Sequence, residues 1–170
     1  MKEHERMAGR FWQVSLEYLE AAQLANNQQR GRGLYFVCLH NIGHSLELYL
    51  KSHLVVLDGP GTDPKKYSHH IRDMWNDDRL EHIRQKAISL LEDSRRPKGI
   101  VIHMMTAMEF SREKTMDSYI ELLSEQFSNA SNYALRYPPD SIVKVPDPKE
   151  LLYVLPKLYH REPPLDVLRR

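Results

Sequence analysis

The sequence predicts an all-α fold, an up-and-down bundle of about five to six helices in a single domain of 170 residues. Three observations carry this. Apolar residues recur at helical spacing in one segment after another. Gly- and Pro-rich breaks separate those segments. No internal repeat, low-complexity tract or linker divides the chain. The bundle is expected over about 7–136, an extended segment and C-terminal helix over about 140–160, and a loose tail over 161–170.

Each element has its own signals. From Met7 to about Gln29, the residues Phe11, Trp12, Ser15, Tyr18, Leu19 and Ala22 form one stripe, which "NNQQRGRG" ends. A second helix runs from about Leu34 to Leu57 and stops at "DGPGTDP". Ser68 reads as the N-cap of a short helix in "SHHIRDMW". Asp77 caps the next, with Leu80, Ile83, Ala87, Leu90 and Leu91 on one face. "IVIHMMTAMEF" suits strand at its start and helix at its methionines; helix is preferred because nothing nearby offers a pairing partner. Met116, Tyr119, Ile120, Leu123 and Phe127 mark a helix that must end near "RYPPD". "SIVKV" is a short extended piece, and Asp147 followed by Pro148 starts the last helix.

Bulk composition narrows the function. Lys plus Arg is 24 against 23 acids, so strong nonspecific binding to duplex nucleic acid is not expected. The single cysteine, Cys38, forbids an internal disulfide and leaves a thiolate zinc site short of ligands. The charged "MKEHERMAGRFWQ" lacks a signal core, and no apolar run reaches a membrane span. These features predict a cytoplasmic protein without membrane partners.

The second helix holds the chemistry. His40, His44, Glu47 and Lys51 follow at steps of four, three and four, which places them on one face of an otherwise apolar helix. The helix must be the central rod of the bundle. Its polar line is a hydrogen-bonded seam, a metal site or an acid–base site. A bundle metal site needs acidic and His ligands from several helices. The other helices supply no second Glu-x-x-His on an apolar face, so no metal and no cofactor is expected.

"HSLELYLKSHL" resembles the H-x-x-E-L-x-L-K-A helix of HEPN-like domains, the "higher eukaryotes and prokaryotes nucleotide-binding" group. "YSHHIRDMW" resembles the G-H-D-L-x-x-L element that follows, with His70 where Asp is usual. "YALRYPP" resembles the family's later F/L-R-Y-P ending. Together they cover about Met7 to Pro139. The resemblance implies a buried cluster in which Glu47 accepts from Arg136 or Lys51, His44 or His69 completes the network, and Tyr137 and Pro138 follow the arginine.

Many HEPN members are metal-independent ribonucleases whose Arg and His stand four to six residues apart. In such a pair His moves the 2′-hydroxyl proton and Arg steadies the phosphate charge. "RPKGIVIH", Arg96 to His103, fits that spacing, yet Pro97 and Gly99 make a loop where the family begins a helix. The chain therefore reads as a noncatalytic HEPN-like module for nucleic acid, nucleotide or a protein partner, in a toxin–antitoxin or defence setting. The resemblance implies a nucleotidyltransferase or antitoxin partner, and homodimers are common in the family. One alternative is an endoribonuclease using Arg96 and His103; the other is a structural dimerisation protein. "PKKYSHH" and "SRRPK" are the basic loops available for phosphate contacts.

Overall fold

The computed structural model describes residues 2–28, 34–95, 108–111, 115–127 and 143–164. Among the described residues, six helices form an all-α bundle: α1 (Glu3–Asn27), α2 (Tyr35–Asp58), α3 (Ile71–Trp75), α4 (Glu81–Ser94), α5 (Met116–Phe127) and α6 (Pro148–Arg161). No described helix is long and apolar enough to cross a membrane.

α1 begins four residues before the expected Met7, because the Glu5 carboxylate receives the Lys2 backbone N–H at 2.8 Å. Acidic side chains in a first turn also suit the helix dipole. The predicted stripe of α1 packs along α2 in antiparallel fashion. Ala8 meets Val55 and Val56, the Ser15 carbonyl accepts from the Ser45 hydroxyl at 2.7 Å, and Tyr18 lies on His44. Contact pairs whose numbers rise in one helix and fall in the other define a helical hairpin.

α2 is the central rod. Fifteen of its residues are buried, from Cys38 to Val56. Such a helix has little polar face to give to water, as its composition predicted. Burial pushes the Cys38 thiol up to about 12, so it is an inert core group.

α4 and α6 close the other side. Leu80, Ile83, Ala87, Leu90 and Leu91, the predicted face, are all buried with Leu151, Val154, Leu155 and Leu158. Asp77 accepts from Arg79 N at 3.0 Å and starts the 3-10 turn (Asp78–Leu80) that runs into α4. Asp147 accepts from Lys149 N at 2.9 Å, with Pro148 in the first turn. Asp147→Ala is expected to lower stability by about 1 kcal/mol, read as a shift in the urea midpoint.

Three expectations need correction. Ser68 is not a helix cap; it takes φ 46° and ends a 3-10 turn, and α3 starts at Ile71. Met108–Ser111 is a strand, β1, not helix. It pairs in parallel with β2 (Val143–Pro146), Met108 opposite Val143 and Ser111 opposite Pro146. The partner was the "SIVKV" piece, distant in sequence but adjacent in space; residues 100–107 lie outside the described set. Finally, the tail is not loose where it leaves α6. Tyr49 Oη donates to the Glu162 carbonyl at 2.9 Å, His53 Nε2 stands 3.1 Å from the same oxygen, and Pro164 is buried.

Candidate functional site

Glu47 lies midway along α2, and only 2% of it reaches solvent. A carboxylate there needs partners to offset the loss of water. Lys51, one turn on, brings its ammonium to 2.8 Å from Oε1 and is itself buried. This is the favourable order for an i,i+4 pair. His44, one turn back, holds Nδ1 3.8 Å from Oε2, and its ring meets His40 edge-on at 4.5 Å.

The third partner comes from outside the helix. His69 Nδ1 is 3.0 Å from both Oε1 and Oε2 of Glu47. To reach it, the chain must double back from the end of α2 by eleven residues, about 16 Å at the helical rise. Local chemistry explains the reversal. Gly59 and Gly61 take φ 77° and 84°, conformations in which a side chain would be strained. Asp63 accepts from Lys65 N at 2.9 Å and starts a 3-10 turn over Pro64–Tyr67. Tyr67, Lys66 and Arg79 then converge on Asp58, the last residue of α2. Lys66 Nζ lies at 2.6 Å and Arg79 Nη1 at 2.7 Å, and the Tyr67 hydroxyl donates to Oδ2. Burial alone would raise the Asp58 carboxyl; the hydrogen bonds from Lys66, Tyr67 and Arg79 override it and hold it at about 2. The loop is thus clamped at its root, and Ser68 turns His69 in over Glu47.

α3 and α5 fix the far side. Trp75 fills the core and donates from Nε1 to Asp117 at 2.7 Å, and Arg72 N reaches Ser124 Oγ at 3.4 Å. Of the predicted cluster, His44, Glu47, Lys51 and His69 come together, and His40 adjoins them through His44. Arg136, Tyr137, Arg96 and His103 lie outside the described residues. The two basic loops are partly self-neutralised, Lys66 by Asp58 and Arg95 by Glu150 at 2.9 Å. Among the described residues no three His, Cys, Asp or Glu side chains are grouped to hold a metal ion.

A second polar assembly escaped sequence reasoning. Ser45, Tyr49 and His53, spaced by four on α2, all face α6 and the chain beyond it. The Ser45 hydroxyl is 3.1 Å from the Tyr159 hydroxyl, and Tyr49 stacks on Tyr159 with centroids 4.0 Å apart. A carbonyl oxygen only accepts, so neutral His53 donates from Nε2 to Glu162. Burial first, then the neighbouring His82, lowers His53 from 6.5 to about 3. The available signal was a His amid apolar neighbours one turn after a Tyr.

The chain matches no protein-family model, no curated protein and no solved structure.

Proposed function

We propose that this chain is a noncatalytic HEPN-like helical module that binds single-stranded RNA or nucleotide through phosphate groups. One observation carries the reading: Glu47, buried in α2, holds both Lys51 and the half-exposed His69. These are the H-x-x-E-x-x-x-K and Y-S-H positions on which the family resemblance rests. Lys65, His70 and Arg72, all within four residues of His69 in the sequence, are exposed. A net charge of only +1 limits the long-range attraction, so affinity is modest.

The expected result is binding of a fluorescent single-stranded RNA with Kd of about 1–100 μM at physiological salt, weakening steadily as salt rises. Absence of binding to RNA and to AMP even at low salt overturns the reading. Cleavage of the RNA that disappears in Arg96→Ala and His103→Ala would replace it with the ribonuclease.

A further inference from the structure

Lys51 meets the charge of Glu47 but bonds only Oε1, at 2.8 Å. The imidazole that a clamped loop brings in stands 3.0 Å from both oxygens and so also serves Oε2. Beyond this compensation, the contact fixes the orientation of the imidazole. A carboxylate only accepts, so His69 carries its proton on Nδ1. The two ring nitrogens point to different sides of the imidazole, and 56% of the His69 side chain is open to solvent. With Nδ1 turned inward, Nε2 is the solvent-facing nitrogen. It is a lone-pair acceptor when His69 is neutral and an N–H donor when it is protonated.

Charge selects the ligand. Glu47 and Lys51 sum to zero; protonating His69 takes the group to +1, the complement of one phosphodiester. On α2, His44, backed by His40, shares Glu47 with His69, and on α5 Glu121 pairs with Arg72. On its own segment stand Lys66, Tyr67, His70, Arg72 and Asp73. Lys66 and Tyr67 are turned to Asp58, while Arg72 reaches Asp73 and Glu121. His70 lies 4.0 Å from Asp73.

We propose that His69 is the phosphate-contacting group of this chain. Held on Nδ1 by Glu47, it takes a proton from solvent on Nε2 as a phosphate anion docks, and donates it in a hydrogen bond to a nonbridging oxygen. No covalent bond forms or breaks. Glu47 acts as a positioning residue. The inference rests on the nucleic-acid reading above.

The test is the pH dependence of binding, between about pH 5 and 8 where imidazoles change charge. The probes are a labelled oligouridylate and AMP, against wild type, His69→Gln and His69→Arg. Wild-type affinity should rise more steeply towards acid pH than that of His69→Gln. A difference of one proton in slope is up to about tenfold per pH unit. His69→Arg should bind with the shallow slope of His69→Gln and the affinity of acid-form wild type. Tightening with the oligomer alone assigns a chain phosphate; tightening with AMP as well assigns a terminal one. In 15N spectra, His69 should pass from the Nδ1–H tautomer to the doubly protonated form on saturation. RNA binding with identical slopes in wild type and His69→Gln overturns the inference and leaves the RNA reading standing. No binding of either probe by wild type overturns both. His69 is exposed, so its variants are expected to keep wild-type circular dichroism.

Discussion

Glu47→Ala should lower the stability of this protein by about 3–5 kcal/mol, because it leaves the Lys51 ammonium buried without a counter-charge. In a chain of this length that corresponds to a fall in Tm of about 10 °C or more. The loss includes the anchor for His69, whose Nδ1 sits against both carboxylate oxygens. The cause can be separated from simple loss of volume. Replacing both charges with apolar residues, as in Glu47→Leu with Lys51→Met, should recover most of the stability, since a dry pair of similar size strands no charge. Urea denaturation of the single and double variants measures this. A Glu47→Ala midpoint equal to wild type would show that the pair contributes nothing.

The second large effect is on pH dependence. Folded His53 resists protonation down to about pH 3, whereas in the unfolded chain it takes up a proton near the ordinary 6.5. Between those values the unfolded state binds the extra proton. Stability is therefore lost as pH falls through this window, by about 1.4 kcal/mol per unit from this group. Above the window both states are neutral and the contribution is flat. His53→Gln retains a side-chain N–H for the Glu162 carbonyl but cannot titrate. Its stability–pH curve should be shallower than wild type by one proton over the acid limb. Carboxylates contribute equally to both curves, so the difference between slopes is the informative quantity. Parallel curves would mean that His53 is protonated in the folded protein.

The helices were legible because each announces itself locally. The Leu80–Leu91 face and the Asp147–Pro148 start are patterns within one or two turns, and both appear as read. The Glu47–Lys51 pair was legible for the same reason. His69 is different. Nothing in its own neighbourhood says that two glycines, a 3-10 turn and the Asp58 clamp will return it to mid-helix; only the order of motifs suggested it. β1 was misread because its partner is distant in sequence and isolated from any hairpin signal. The hold on Glu162 was invisible because its acceptor is a backbone carbonyl, which every residue has.

That hold has a consequence for synthesis. Ser45, Tyr49 and His53 are made early, yet the Tyr159 hydroxyl and Glu162 carbonyl that meet them are made more than a hundred residues later. While the ribosome is still adding α4 and α5, the middle of α2 carries polar atoms awaiting their permanent neighbours. The nascent hairpin of α1 and α2 can form, but its open flank stays wetted until α6 clears the exit tunnel. Completion of the core thus waits for α6, and a stalled chain ending before Glu162 lacks the acceptor that Tyr49 and His53 share, leaving an incompletely packed intermediate.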